Sequence, residues 1–434
     1  MIDKFFNTIK KIIPNKWSWI LDHDGFKRYF TNTGWMFFGQ IFSLLISFFI
    51  GAWLARYLGP NNYGVLSYAV AFVGLFGFIA SFGIDSILNR ELVKTPEKRD
   101  ELLGTAFRLK IIGGIVALLL SIIFIFIFET SPLIKFLVII FSFSFVLQAI
   151  NVISTYFQSR VESKNNVKVL FISSLISSIL KVGVILLDKG VIWLMVVYVF
   201  DFVWQLIAYI NIYNKKGLKI INWEYNKDLA KKILKNSWPL MLALAAGYIY
   251  LKIDQVMIGS MLGKYEVGLY AVAVKLTEVW YFIPSIICAS LFPAIINAKK
   301  SDIRVYNNRL KNLYILMFVF SIIIAVIMTL LAKPIVYILF GSGYLESVGI
   351  LKVYIWSSIG LFLGTAINQY LIAENLVKTI FILNFLTMIV NIGLNFVFIN
   401  KFGLLGAAWS TLISYFIIPI IVLSGKKFFI KNIH

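Results

Sequence analysis

The sequence predicts an all-α integral membrane protein with about 12 transmembrane helices in two six-helix lobes, and three observations predict it. Of the 434 residues, 60% are hydrophobic, 16% aromatic and only 14% charged, against roughly one-quarter charged in a soluble chain. Apolar runs of about 20 residues, the length that crosses a hydrocarbon core, recur along the whole chain. A glycine-marked turn after the first run also returns near the middle of the sequence.

The runs fall at 34–55, 64–86, 104–128, 133–157, 169–187, 190–212, 238–261, 266–296, 312–331, 347–373, 379–399 and 403–424. Ahead of them, residues 1–33 form an N-terminal cytoplasmic or interfacial segment. Within it Phe5, Phe6, Ile9, Ile12 and Ile13 among lysines predict an amphipathic helix on the membrane surface, interrupted at Pro14. Runs one to six make an N-lobe, 34–212, and runs seven to twelve a C-lobe, 238–424. Between them lies a basic linker, 213–237, with seven lysines, and 425–434 is a short tail.

Loop charge sets the orientation. Of the 41 Lys and Arg residues, 31 fall in the N-terminal segment, in the tail and in or beside the even-numbered loops, and 6 in or beside the odd-numbered loops. Positive loops stay in the cytoplasm, so both termini and the even loops are expected there, in a cytoplasmic membrane. Lys181, Lys252, Lys275 and Lys352 remain within spans.

The repeat is Leu58-Gly59 with Gly64 in one half and Leu262-Gly263 with Gly268 in the other, an offset of 204. Asn32 maps onto Asn236 by the same offset, and Tyr-Ala follows the second glycine in both copies. Six spans per half is an even number, so the halves share one orientation and are related by an axis along the membrane normal. That arrangement makes a central cavity which opens to either side.

Several classes of function are excluded. A net charge of +21 suits nucleic acid, but the cations sit between apolar runs and serve topology. One cysteine, Cys288, and two histidines, His23 and His434, supply neither a metal site nor a histidine-based triad. No GxxxxGK[ST] loop is present. No cofactor and no metal is expected, and short outer loops leave little room for an enzyme site. Transport is the class that remains.

The run Ala55-Arg56-Tyr57-Leu58-Gly59-Pro60-Asn61-Asn62-Tyr63-Gly64, then Phe82-Gly83-Ile84-Asp85 with Asn89-Arg90, resembles the opening of the Wzx-type polysaccharide (O-antigen unit) flippases. Asp254-Gln255-Val256-Met257-Ile258-Gly259, Val267 to Leu276, Ile283-Pro284, Leu291-Phe292-Pro293 and the GLLGAA run 403–408 resemble them too. These belong to the multidrug/oligosaccharidyl-lipid/polysaccharide exporter superfamily. The resemblance implies a V-shaped bundle that is not an enzyme. It would move an undecaprenyl-diphosphate-linked oligosaccharide to the outer leaflet by alternating access, with membrane lipids and a polysaccharide polymerase as partners. An exporter of small cationic drugs, which needs an acidic cavity, and a membrane enzyme of glycan assembly remain as alternatives.

The candidate residues are ionisable or amide groups at membrane depth, where a charge costs roughly 2.5–3.5 kcal/mol or more unless it has a partner, a wet cavity or a role. Lys252, Asp254 and Gln255 lie in the seventh span, Lys275 and Glu278 in the eighth. In one reading, Asp254 and Lys275 neutralise each other across the helix pair, with Lys275 and Glu278 as a competing local pair. In the other, Lys252, Gln255 and Lys275 face a cavity and meet the diphosphate, with Asp254, Glu278 or Asp201 as an ion or proton site. Arg90 either grips phosphate on entry or anchors the interface, and Asp85 is expected to pair with it. Asn151 binds sugar or a neighbouring helix. Pro284 and Pro293 should kink the eighth span.

Overall fold

The computed structural model describes residues 24–424 except Asn375, and among these the chain is helical with no strand. The first half runs α1 (Asp24–Gly74), α2 (Gly77–Ser81), α3 (Ile84–Lys94), α4 (Arg99–Phe128), α5 (Pro132–Ser142), α6 (Ser144–Leu147), α7 (Val152–Ser159), α8 (Lys164–Leu186) and α9 (Gly190–Lys215). The second runs α10 (Lys227–Met261), α11 (Lys264–Glu278), α12 (Phe282–Ser301), α13 (Ile303–Leu330), α14 (Ala332–Phe340), α15 (Ser347–Tyr354), α16 (Ser357–Ala373) and α17 (Val377–Ser424). The amphipathic helix expected over residues 5–20 and the tail lie outside the described residues.

Among the described residues, ten helical stretches are long and apolar enough to cross a membrane. Two of them, Ile41–Gly74 and Lys378–Ser424, are broken at Gly59 and Gly403, whose backbones leave helical geometry. Each break separates two of the expected runs, which reconciles ten continuous stretches with twelve crossings. Large apolar side chains such as Phe49, Ile127, Leu186 and Ile338 are exposed along the outer faces, as lipid requires.

The repeat is a structural one. Gly59 (φ 69°) and Gly263 (φ 142°) both take positive φ, which a Cβ would disfavour, and both sit at the turn after the first span of their half. The second glycines meet. A Cβ on Gly64 would lie 1.6 Å from the Lys264 carbonyl oxygen, and one on Gly268 would lie 2.0 Å from that of Pro60. The two turns therefore pack back to back, backbone on backbone. Both arms leave this contact in the same direction, because Gly51 is beside Lys275 and Gly74 beside Lys252.

Several spans are segmented. The second changes direction between α2 and α3, where Phe82 and Gly83 both have positive φ. The fourth is interrupted by a 3-10 turn at Gln148–Asn151. The eighth breaks after Glu278, ahead of Pro284, where Ile283 rather than the proline donates to the Trp280 carbonyl. α12 then runs as one helix from Phe282 to Ser301.

Candidate functional site

Residues of both halves enclose two adjoining cavities at the middle of the bundle. A cleft of about 480 Å³ is bounded by α1, α8, α9 and α11, with Gly51, Lys181, Asp201, Lys275 and Glu278 on its walls. A second cavity of about 400 Å³ is lined by Asp85, Lys110, Gln148, Asn151, Tyr248 and Lys252. Val70 and Phe141 border both. Broken helices supply many of these groups. Beside the turns within the second and fourth spans, Ser81, Gln148 and Asn151 line the second cavity.

The charges sort into pairs and one exception. Lys110 Nζ lies 2.5 Å from Asp85 Oδ1, which also accepts from the Thr155 hydroxyl at 3.2 Å. Lys252 and Glu278 approach to 3.8 Å. Lys181 and Asp201 interact electrostatically, and Lys181 lies 4.3 Å from the centre of the Tyr198 ring. Lys275 has no ion-pair partner among the described residues. Its ammonium rests against Gly51, where a Cβ would come within 1.6 Å. The absent side chain at position 51 is what gives the ammonium its place in the cleft. The two cavities carry Lys110, Lys181, Lys252 and Lys275 against Asp85, Asp201 and Glu278, one cation in excess.

Asp254 is elsewhere. It is 4% exposed and turned into the second half, where Asn395 Nδ2 donates at 2.5 Å, Thr411 Oγ1 at 2.5 Å and the Tyr270 hydroxyl at 2.9 Å. Asn391 Oδ1 accepts from Asn395 at 3.2 Å. Four spans thus converge on one carboxylate with neutral donors only.

Two expected ion pairs do not form. Asp254 and Lys275 do not form an ion pair, because the polar groups of α17 reach Asp254 first and Lys275 leaves on the other face of its helix. Asp85 pairs with Lys110, not with Arg90. Lys110 reads as a loop cation in the sequence, yet it is 4% exposed. Arg90 is half exposed and bonded to Glu91 at 3.0 Å. It lines neither cavity, and Gln255, though buried, lines neither as well. The structure brings together Lys252, Lys275, Glu278, Asp201 and Asn151, and leaves Arg90, Gln255 and Asp254 apart.

On the odd-loop side the halves are sealed. Beside the Gly64–Gly268 contact, the Tyr344 hydroxyl donates to the Ala55 carbonyl at 2.6 Å. Lys264 bridges to Glu129 at 2.8 Å and lies over the Tyr68 ring at 3.4 Å.

A two-lobed membrane bundle with a sealed end and a charged cleft between its halves is the architecture of a transporter. The polysaccharide biosynthesis protein family matches residues 30–299, most of the chain, and the protein belongs to it. The MatE family matches residues 239–397. The chain is 24% identical to the capsular polysaccharide biosynthesis protein CapF of Staphylococcus aureus, over 89% of this chain and 96% of that one. Its fold is similar to that of an inward-facing multidrug resistance MATE family transporter of the MOP superfamily, with a TM-score of 0.74 at 13% identity over 90% and 96% of the two chains. It is also similar to the lipid II flippase MurJ in an inward closed conformation, with 0.70 at 20% identity over 91% and 88%. An outward-facing MATE structure scores 0.63 at 15% identity over 92% and 94%. The resemblance drawn from Ala55–Gly64 and Asp254–Gly259 holds: the chain is a polysaccharide-family member of this exporter superfamily.

Proposed function

We propose that the protein moves undecaprenyl-diphosphate-linked oligosaccharide from the cytoplasmic to the outer leaflet of the cytoplasmic membrane, by alternating access of the lobes 34–212 and 238–424. The observation that carries this reading is Lys275, an ammonium held in the cleft between the lobes with no ion pair among the described residues, near enough to both Lys181 and Glu278 to feel their charges. Two cations across a cleft suit a diphosphate, whose charge cannot cross hydrocarbon unaided. The relatives support the same class. One bears a capsular polysaccharide name and one solved neighbour is a lipid II flippase. The cationic excess disfavours the drug-exporter alternative.

Loop charge assigns the sealed, odd-loop end to the outside, so the described state is the inward-facing one. The higher TM-score with the inward-facing MATE structure than with the outward-facing one supports this. Asn151 and Lys252 extend the polar surface for the headgroup, while Arg90 and Gln255 serve at the even-loop face and in packing. Asp254, whose oxygens are held by donors from Tyr270, Asn395 and Thr411, is the candidate site for a coupling proton or monovalent cation, which would take the place of one of those donors. Glu278 and Asp201 tune the cleft. A polysaccharide polymerase would receive the product.

The test is deletion and complementation. Cells lacking the gene should accumulate lipid-linked sugar units in the inner leaflet and lose surface glycan. Wild type should restore both and Lys275→Ala neither. Normal surface glycan with no accumulation in the deletion would overturn the assignment.

A further inference from the structure

A third cavity, about 400 Å³, opens beside the cleft among α1, α7, α8 and α9. It shares Ser47, Ser178, Lys181 and Asp201 with the cleft, so the two spaces meet where that Lys–Asp pair sits. Away from this junction the polar wall is hydroxyl and amide. Along α8, Asn166, Ser173, Ser174, Ser177, Ser178 and Lys181 keep to one helix face by their three- and four-residue spacing. From α1, Gly39, Ser43, Ser47 and Gly51 answer at intervals of four.

Small residues at such spacing are also how membrane helices approach one another. Gly39 serves that purpose, since a Cβ there would lie 2.4 Å from Val167. Packing does not explain the hydroxyls. Ser173 and Ser177 are 2% and 3% exposed. Their Oγ atoms, like those of Ser43 and Ser174, have no hydrogen-bond partner among the described residues, and neither has Asn166 Oδ1. A serine within a helix commonly donates to the carbonyl four residues back, and Ser121, Ser142, Ser410 and Ser414 do so here. Ser43, Ser173, Ser174 and Ser177 do not, and a buried hydroxyl left unpaired is unfavourable.

We propose that this cavity is the subsite for the glycan of the lipid-linked substrate, its serine hydroxyls pairing with sugar hydroxyls while the diphosphate lies between Lys181 and Lys275. The proposal rests on the flippase reading above and adds where the sugar goes. A serine hydroxyl donates one hydrogen bond and accepts two, which suits neighbouring hydroxyls on a sugar ring. Charge is confined to the junction, so the remainder selects a neutral polyol over an organic cation or a second anion. From Asn166 to Lys181 the helix rises roughly 22 Å. The wall thus suits an extended ligand that enters from the even-loop face.

The test compares two probes on the purified full-length protein in lipid nanodiscs. One is undecaprenyl diphosphate; the other is the same lipid carrying an N-acetylhexosamine disaccharide. Wild type should bind the glycosylated probe more tightly. Ser173→Ala/Ser177→Ala should weaken that probe by about tenfold, the worth of two hydrogen bonds, and leave the bare diphosphate unchanged. Its melting temperature should hold or rise, since two unpaired hydroxyls are gone. Unchanged binding of both probes, or an equal loss on both, overturns the glycan subsite and leaves the flippase reading standing. If wild type binds neither probe, that reading falls and the subsite with it. A second readout is independent of folding energetics. In a Cys288→Ser background, a cysteine introduced by Ser177→Cys should be protected from a methanethiosulfonate reagent by the glycosylated probe and not by the bare one. Equal protection by the two probes, or none, counts against the subsite.

Discussion

Asp254 and Lys275 occupy neighbouring helices of one hairpin, and membrane burial treats them in opposite ways. Asp254 is surrounded by donors from α11 and α17 and faces no cavity. Lys275 faces a cleft and leans on a glycine. Of these two charges, one is completed by its own half and the other is left for something that enters between the halves. The first holds a lobe together, and the second is available for work.

The largest effect separating the two should come from Lys275→Ala. A charge-assisted contact to phosphate is worth roughly 1.5–3 kcal/mol, so affinity for undecaprenyl diphosphate should fall about 10- to 100-fold. Expression and melting temperature should not fall. Lys275→Arg should keep part of the binding. A Lys275→Ala protein that transports normally would move Lys275 into the same category as Asp254.

Asp254 should behave in reverse. Asp254→Ala removes the shared acceptor of three buried donors, which keep only longer bonds to Asn391, Ala407 and one another, so at roughly 1–3 kcal/mol its melting temperature should drop by several degrees, while binding of the bare diphosphate by the folded fraction persists. Asp254→Asn keeps the shape and should recover most of that stability. If the carboxylate also takes a monovalent cation, sodium or potassium should raise the melting temperature of wild type and not of Asp254→Asn. Equal stabilisation of both proteins would remove Asp254 from the coupling role.

Much of this contrast was open to sequence reasoning, and its limits have physical causes. The turn glycines were legible because Leu-Gly with a second glycine five residues on recurs at a fixed offset. That the two second glycines would touch follows only once the halves are placed face to face. That Lys252, Lys275 and Glu278 lie at membrane depth was legible from the sequence, but the approach of Lys252 to Glu278 was not. The partners of Asp254 were not, since Asn395 and Thr411 lie 141 and 157 residues away and asparagines four apart in an apolar helix suggest ordinary packing. Lys110 was hidden by its place near a basic loop. The serine wall was hidden because a helical serine usually satisfies itself.

Gly51→Ala sharpens the comparison at a smaller scale. Alanine is favoured over glycine within a helix by about 1 kcal/mol, and the only close neighbour of the new methyl would be the flexible end of Lys275. The fold should gain stability while the ammonium is pushed from its position. Diphosphate affinity should fall by roughly tenfold, less than for outright removal of one charge-assisted contact at the upper end of its range. A stabilised variant with unchanged affinity would mean that the seat of Lys275 on Gly51 is incidental.

The smallest effect is expected at the sealed end, where Glu129 and Lys264 join the two halves. Burial alone would raise the Glu129 carboxyl, but the Lys264 ammonium and the amides of Ser131 and Thr130 outweigh it and hold it below its ordinary value of 4.5. A depressed carboxylate stabilises the closed form fully above that ordinary value and loses its contribution as pH falls through the depressed one. The outer end should therefore stay shut near neutrality and loosen only in acid below about pH 4.5. Glu129→Gln should shift the ratio of open to closed outer ends by about fivefold at neutral pH, as befits a partly exposed pair, and should abolish the acid response. Spin labels at Thr130 and Tyr265, read as a distance distribution, would report both. Were the wild-type distribution unchanged as the pH is taken from about 7 well into the acid range below 4.5, the seal would rest on the glycine contact and Tyr344 alone. The backbone contact between Gly64 and Gly268 would then be the feature that must part for the outer end to open.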